Sequence, residues 1–147
     1  PVALIDILAG HQLKEALLLA LLKRERTGAG SFVEVSLMQT ALASLANQAT
    51  NYVVAGKVPQ KQGSAHPNIA PYGEVFTTKD GKQLLLAVGN DKQFSDLCEV
   101  LSKPLMAEDA LYKTNYMRVI NRLLLQSELS ILIKEQASDH LLPQLQA

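Results

Sequence analysis

The sequence predicts a mostly helical protein with one short strand and one small antiparallel β-hairpin. Three observations predict this class. Long stretches repeat apolar residues at helical spacing, the dipeptide Asp80-Gly81 separates two strand-like runs, and several prolines and glycines interrupt residues 56–72. We therefore expect two packed pieces joined by a proline-bearing loop.

The first piece, residues 1–56, is predicted to be helix, strand and helix. Residues 10–25 are apolar on nearly all sides, which is typical of a buried helix, and Gly28 supplies the left-handed C-cap that would end it. Residues 32–35 indicate a short strand. Residues 37–55 return to helical spacing and predict a second helix that stops at the next glycine.

The second piece, residues 73–147, is predicted to follow a linker loop over residues 57–72. It begins with the hairpin, because strand-like runs at 74–78 and 83–88 flank a strong turn signal. The linker is the expected domain boundary.

Helices are predicted for the remainder of the second piece. Asn90 is a candidate N-cap, and the helix after it has an apolar face made of Phe94, Leu97, Cys98 and Leu101. A long amphipathic helix over 115–136 has a predicted apolar face made of Met117, Ile120, Leu124, Ile131 and Leu132. Ser138 is the predicted N-cap of a last helix, in which Pro143 is expected to cause a kink or a break.

Composition and charge exclude several classes of partner. Lys plus Arg and Asp plus Glu number 14 each, so no excess basic charge attracts nucleic acid or an anionic membrane. The longest apolar run, residues 16–22, is far shorter than the ~20 residues that span a bilayer, and we expect no membrane segment. The single cysteine, Cys98, indicates a reducing compartment, and we expect a cytoplasmic protein.

The two ends of the sequence indicate that it is part of a longer protein. It begins with Pro1 rather than Met, and it stops within the helix-like stretch 138–147. We therefore expect an internal fragment.

Metal and phosphate sites find little support in the sequence. His11, His66 and His140 are far apart and no paired Cys or His spacing accompanies them, so we expect no metal site. Gly28-Ala29-Gly30 follows a predicted helix rather than a strand, which favours a helix cap over a phosphate-binding loop.

Asp6 is the candidate for chemistry, because it is a carboxylate in an otherwise apolar segment, residues 2–9, just before the first helix. Two interpretations stay open. Asp6 caps the helix by accepting backbone N–H groups, or it is a half-desolvated carboxylate at a helix N-terminus that serves as a nucleophile or proton carrier.

Several motifs in register over nearly the whole chain resemble the class III coenzyme A transferases. This family also holds carnitine CoA transferase, formyl-CoA transferase and the α-methylacyl-CoA racemases. The matching motifs are residues 6–10, 23–30, 32–37, 63–72, 78–81, 88–94 and 112–115, followed by Arg118, Asn121 and Arg122.

The resemblance implies an α/β fold of two domains, in subunits that interlock into a homodimer. Residues 1–56 would form the catalytic edge of the large domain and residues 73–147 the start of a small α/β domain. Most CoA-binding residues of the family precede this region, so we expect the fragment alone to be inactive.

The resemblance also implies the chemistry of the site. Asp6 occupies the position of the family's catalytic aspartate and would carry CoA as an aspartyl thioester between an acyl-CoA, such as succinyl-CoA, and a carboxylic acid, with no metal. His66 and Asn68 lie where some members have a mobile glycine run over the active site. They are candidates for contact with the acyl group.

Two alternatives remain at this stage. In the racemases of the family the aspartate works with a histidine and a glutamate, and the glutamate would fall near Asp91 in a segment that is shorter here. That departure favours a transferase, and Asp91 is in any case suited to the first turn of a helix. The other alternative is a non-catalytic helical module whose apolar faces bind a partner.

Overall fold

The computed structural model describes residues 2–145. Pro1 and residues 146–147, which the predicted pieces include, lie outside the described residues. The chain forms two compact units, one that ends at Gln60 and one that begins at Lys61. None of the helices in the described part of the chain is long and apolar enough to cross a membrane.

The first unit contains three helices, α1 (Leu4–Thr27), α2 (Leu37–Ser44) and α3 (Asn47–Ala55). Gly28 ends α1 in the left-handed conformation, with φ 72°, and its N–H donates to the carbonyl of Arg24 at 2.8 Å. The predicted C-cap is therefore confirmed.

The prediction that the first helix is buried is wrong within this chain. α1 begins six residues earlier than predicted, at Leu4 instead of residue 10, and none of its residues is buried. Leu19, for example, is 67% exposed. α2 packs against α1, where the Thr40 hydroxyl donates to Gln12 at 2.8 Å, but one short helix covers only one side of a helix that is apolar on nearly all sides.

The short strand predicted at 32–35 does not form among the described residues. The backbone from residue 28 to residue 36 is irregular, and Phe32 is 90% exposed. A strand needs a hydrogen-bonded neighbour, and the first unit contains no other strand within its described residues. The alternation of apolar residues at 32–35 was therefore not enough to predict a strand.

Residues 37–55, predicted as one helix, form the two helices α2 and α3. The break is at Ala46, which has φ 48° although it is not a glycine. No glycine or proline signals that break. Gly56 ends α3 in the left-handed conformation, as predicted.

The first regular elements of the second unit form the predicted hairpin, β1 (Tyr72–Thr77) and β2 (Gln83–Ala87), paired antiparallel. Gly81 has φ 77° and its N–H donates to the carbonyl of Thr78, so the predicted turn is confirmed. An irregularity lies between Tyr72 and Val75. At that point Gly73 has φ 82°, and a Cβ there would lie 2.1 Å from the carbonyl oxygen of Ser64. Only glycine permits this close approach of the preceding loop.

Helix α4 (Asp91–Val100) covers part of the core of the second unit. Asn90 is its N-cap and accepts the N–H of Gln93 at 2.9 Å, as predicted. The predicted apolar face is also confirmed, because its four members are buried in the core: Phe94, Leu97, Cys98 and Leu101. Burial raises the pKa of the Cys98 thiol to about 11, so Cys98 is an unreactive packing residue.

A 3₁₀ helix (Pro104–Glu108) leads to α5 (Asn115–Ile120) and α6 (Arg122–Lys134), which replace the single long helix predicted over 115–136. The predicted apolar face is confirmed only in part. Leu132 packs against the core and Met117 is half-buried, whereas the other three members are exposed: Ile120, Leu124 and Ile131. The buried residues of α6 instead recur every four positions, at Leu125, Leu129 and Ile133. Because the helix breaks at Asn121, a pattern drawn for one continuous helix does not predict which side of α6 is buried.

The last helix, α7 (Ser138–Leu145), is capped from the hairpin turn rather than by Ser138, its predicted N-cap. The Ser138 N–H donates to Asp80 Oδ1 at 2.9 Å and the Ser138 hydroxyl donates to Asp80 Oδ2 at 2.7 Å. Thr78 and Lys82 contact the same carboxylate. These hydrogen bonds hold the pKa of Asp80 far below its usual range.

Asp80→Asn should therefore lower the thermal unfolding midpoint of the chain at pH 7 by a few degrees, measured by circular dichroism. Because the folded pKa of Asp80 is depressed, its contribution is complete above the unfolded pKa of about 4 and is lost as pH falls below that value. The difference between wild type and variant should shrink in acid. Asp96→Asn, at an exposed ion pair with Lys92, is the control. An equal effect of both variants would contradict this account.

The assignment of these units to domains stays a prediction. Residues 1–56 as the edge of a large domain, 57–72 as a linker and 73–147 as the start of a small domain are expectations from the resemblance. Residues 57–71 contain no helix or strand, and β1 begins at Tyr72.

Candidate functional site

Asp6 lies in the first turn of α1, and its side chain is exposed. The N-cap of that helix is Ala3, and no side chain caps it, so the interpretation of Asp6 as the cap is wrong. Asp6 is the third helical residue, one turn too late for the N-cap position. Among the described residues its carboxylate has no hydrogen-bond or ion-pair partner. The positive end of the α1 dipole favours its negative charge.

The chain therefore presents an exposed carboxylate, without a partner among the described residues, in the first turn of a 24-residue helix. Apolar side chains surround it in sequence, with Leu4 57% exposed and Ile7 50% exposed. A carboxylate with no internal partner keeps both oxygens available for an electrophile, whereas a capping carboxylate would be occupied by N–H donors.

The second unit brings together His66 and Asn68, the two residues predicted to contact the acyl group. The Asn68 N–H donates to His66 Nδ1 at 3.2 Å, and the His66 ring packs edge-on against Tyr72, with centroids 5.8 Å apart. Because Nδ1 accepts a hydrogen bond, the neutral ring carries its proton on Nε2. His66 thus has a hydrogen-bond donor at Nε2.

The backbone of the 66–70 segment is held by side chains from α5 and α6. Four of its carbonyl oxygens accept hydrogen bonds, and the segment also donates one N–H to an asparagine. The bonds are Arg122 Nη2 to His66 O (2.6 Å) and Ile69 O (3.0 Å), Asn115 Nδ2 to Asn68 O (2.8 Å), Arg118 Nε to Ala70 O (2.8 Å), and Ala70 N to Asn115 Oδ1 (3.1 Å). The segment is consequently an ordered loop.

Arg118 is completely buried, with 0% of its surface exposed. Besides Ala70, it donates from Nη1 to the Tyr112 carbonyl at 2.9 Å and from Nη2 to Asp91 Oδ1 at 2.7 Å. Its guanidinium lies 4.4 Å from the centroid of the Phe94 ring. All three nitrogens therefore have partners, which allows a charged side chain to be buried.

Asp91 lies in the first turn of α4, which confirms the interpretation made from the sequence. Its Oδ1 accepts from the Asn115 N–H at 3.0 Å as well as from Arg118. The carboxylate therefore joins α4 to α5 and is already engaged within the second unit.

Glu74 and Arg122 form a second ion pair, with Glu74 Oε1 2.9 Å from Arg122 Nη1. Glu74 is only 5% exposed, and its other oxygen, Oε2, has no hydrogen-bond partner among the described residues. Burial raises the pKa of the Glu74 carboxyl above its usual value, although Arg122 opposes that rise. Arg122 is thus the charged side chain that pairs with this buried carboxylate.

Sequence patterns missed Glu74, Arg118 and Arg122 as parts of this network. A helical pattern assigns arginines to the solvent side, because charged side chains are rarely buried unless they are paired. The signal that was available lay in the resemblance, since both arginines belong to its last motif.

The remaining histidines of the chain make local contacts only, within the described residues. His11 contacts Lys14 at 3.2 Å, and His140 contacts Gln144, in both cases at the surface. Within residues 2–145, no three His, Cys, Asp or Glu side chains are close enough to hold a metal ion.

Comparison with known proteins identifies the family. The family model described as CoA-transferase family III matches residues 1–147, the whole sequence. The chain belongs to CoA-transferase family III.

The chain is similar to proteins that are named as CoA-transferases. Succinate–glutarate CoA-transferase of Agrobacterium fabrum is 44% identical over 121 residues, which is 82% of this chain and 30% of that protein. Succinyl-CoA:glutarate CoA-transferase of Mus musculus is 37% identical over 137 residues, 93% of this chain and 31% of that protein. The chain spans about three tenths of the length of these curated relatives.

Two solved structures have a similar fold. A CaiB/BaiF family protein from Brucella suis is 40% identical with a TM-score of 0.61, over 99% of this chain and 38% of that one. The orthorhombic form of Rv3272 from Mycobacterium tuberculosis is 27% identical with a TM-score of 0.73, over 99% of this chain and 37% of that one. The predicted mostly helical fold with an antiparallel hairpin is confirmed.

Proposed function

We propose that the full-length protein transfers CoA from an acyl-CoA to a carboxylic acid through a thioester on Asp6. The observation that carries this proposal is the match of the whole chain to a CoA-transferase family, with Asp6 at the start of a long helix and without a partner. Similar proteins named for succinate and glutarate support succinyl-CoA as the donor and glutarate as an acceptor. CoA is a substrate here, and the mechanism needs no metal.

In the proposed mechanism an oxygen of Asp6 attacks the thioester carbonyl, the C–S bond breaks, and CoA leaves as the thiolate. The product is a mixed anhydride between Asp6 and the acyl group. The thiolate then attacks the Asp6 carbonyl, which releases succinate and leaves an aspartyl-CoA thioester. The acceptor carboxylate repeats the two steps in reverse, so that Asp6 is regenerated and the acceptor leaves as its CoA thioester.

Each attack places negative charge on a carbonyl oxygen, and the position of Asp6 suits that chemistry. The first N–H groups of a helix have no intrahelical acceptor and point towards its N-terminus. In α1 the Leu4 N–H donates to the Val2 carbonyl at 2.9 Å, and no side-chain cap occupies the N–H groups of Ile5 and Asp6. We propose that these N–H groups and the dipole of α1 stabilise the oxyanions.

We further propose that His66 and Asn68 contact the acyl group of the substrate. His66 Nε2–H is a donor that a carboxylate or thioester oxygen can accept. The ordered backbone around it supports this proposal, because a fixed donor loses little conformational entropy on binding.

The structure gives the racemase alternative less support. That chemistry requires a free acid or base near Asp91, but the Asp91 carboxylate is engaged by Arg118 at 2.7 Å and by the Asn115 N–H. The non-catalytic alternative is also less supported, since the similar proteins of assigned activity are named as CoA-transferases.

Two properties of the full-length protein belong to the same proposal. It would be a cytoplasmic homodimer, as the resemblance and the single buried cysteine indicate. The chain by itself would be inactive, because it is about three tenths of the length of its relatives. CoA transfer catalysed by the isolated chain would refute that statement.

The proposed function can be tested by incubating the full-length protein with succinyl-CoA and glutarate and following CoA esters by liquid chromatography and mass spectrometry. We expect succinyl-CoA to fall as glutaryl-CoA rises in equal amount. A parallel reaction uses a 2-methylacyl-CoA in deuterated water. Exchange of its α-proton without any CoA transfer would favour the racemase and overturn the proposal.

A further inference from the structure

One guanidinium group donates hydrogen bonds to two backbone carbonyl oxygens of the 66–70 segment. Arg122 Nη2 donates to His66 O at 2.6 Å and to Ile69 O at 3.0 Å, so that it ties together the two ends of the short turn that carries Asn68. Asn115 and Arg118 each contact one carbonyl of the segment, whereas Arg122 spans the turn.

The orientation of Arg122 is itself fixed by Glu74. The Arg122 guanidinium is planar with donors at fixed angles, so one bond from Nη1 to Glu74 Oε1, at 2.9 Å, directs Nη2 towards the two carbonyls. Glu74 lies in β1, which packs against α6, and the strand thus provides a rigid base for the contact.

Stability alone is a poor explanation for this arrangement. A buried carboxylate with one unpartnered oxygen is costly, and an apolar pair of similar volume is often at least as stabilising. What an apolar pair cannot do is hold two backbone carbonyls at a defined separation.

We propose that Arg122, oriented by Glu74, is a positioning residue that keeps the turn from His66 to Ile69 in the conformation that binds the acyl group. The inference rests on the proposed function, since it assumes that His66 and Asn68 contact the substrate. Arg122 acts through the backbone of the turn, because its Nη1 and Nη2 bonds go to Glu74, His66 and Ile69.

Arg122→Lys in the full-length protein tests this inference. Lysine keeps the positive charge but lacks the planar guanidinium that bonds Glu74 and the two carbonyls at once. The turn should then lose its fixed conformation, and KM for glutarate should rise about ten- to a hundredfold. The fraction of Asp6 converted to the CoA thioester by saturating succinyl-CoA should stay the same. A residue needed only for folding would give the opposite pattern, with less active protein and an unchanged KM.

Glu74→Gln is a second variant, for the case in which Arg122→Lys fails to fold. It retains the shape and one oxygen acceptor and should raise KM for glutarate in the same direction by a smaller factor. Glu108→Gln is the matched control, because Glu108 pairs with Lys113 in an exposed ion pair, and its KM should not change.

The outcomes separate this inference from the proposed function. Wild type that forms the thioester and transfers CoA, with unchanged KM in the two folded variants, overturns the positioning inference alone. Wild type that forms no thioester overturns the proposed function and the inference with it. A raised KM in Arg122→Lys or Glu74→Gln, with wild-type thioester yield, supports the inference.

Discussion

Asp6→Asn should reduce CoA transfer by the full-length protein by at least about a thousandfold, because an amide cannot attack a thioester or carry CoA. The expected loss is in kcat, and binding of succinyl-CoA should be almost unchanged. The measurement is the initial rate of glutaryl-CoA formation with succinyl-CoA and glutarate at saturation.

Asp96→Asn is the matched control for this variant. Asp96 is an exposed carboxylate on α4 that forms an ion pair with Lys92, so its loss should leave the rate within about twofold of wild type. If Asp6→Asn also retained most of its activity, the role proposed for Asp6 would be wrong.

Arg118→Met should destabilise the chain more than other single substitutions in its network, by about 3–5 kcal/mol. The change leaves Ala70 O and Tyr112 O without their donors and removes the guanidinium from the face of Phe94. Asp91 is itself 58% exposed at its side chain, so the ion pair with it contributes the smaller part. Urea denaturation followed by circular dichroism measures the change in the free energy of unfolding.

Lys92→Met provides the comparison for Arg118→Met. It also breaks an ion pair of the second unit, but both partners of that pair are exposed. The free energy of unfolding should then change by less than about 1 kcal/mol. Similar losses in the two variants would show that the buried network does not stabilise the unit as argued.

Local signals in the sequence predicted the parts of the fold that depend on a few neighbouring residues. Gly28 and Gly56 end helices because glycine adopts positive φ without strain, and the turn at Gly81 follows the same rule. Asn90 caps α4 by a bond to a residue three positions later. Such features need no knowledge of distant contacts.

Features that depend on distant contacts were predicted less well. The cap of α7 comes from Asp80, 58 residues before Ser138. The strand expected at 32–35 has no neighbour in its unit, and the break at Ala46 has no signal in the residue type. α1 was predicted to be buried, but none of its residues is buried.

The residues of the candidate site also differ in how far the sequence predicted them. Asp6 stood out because a carboxylate in an apolar segment is unusual, and its exclusion as a cap required the structure. His66 and Asn68 were predicted only by resemblance, and the structure shows that they are hydrogen-bonded to each other. Arg122 and Glu74 are 48 residues apart, and periodicity carries no information about such a pair.

The most direct test of the account is peptide mass spectrometry of the full-length protein after incubation with succinyl-CoA and no acceptor. We expect a CoA thioester on the peptide that contains Asp6, which disappears when glutarate is added and never forms in Asp6→Asn. Transfer of CoA to glutarate without such an adduct, or an adduct on another residue, would contradict the assignment of Asp6 as the nucleophile.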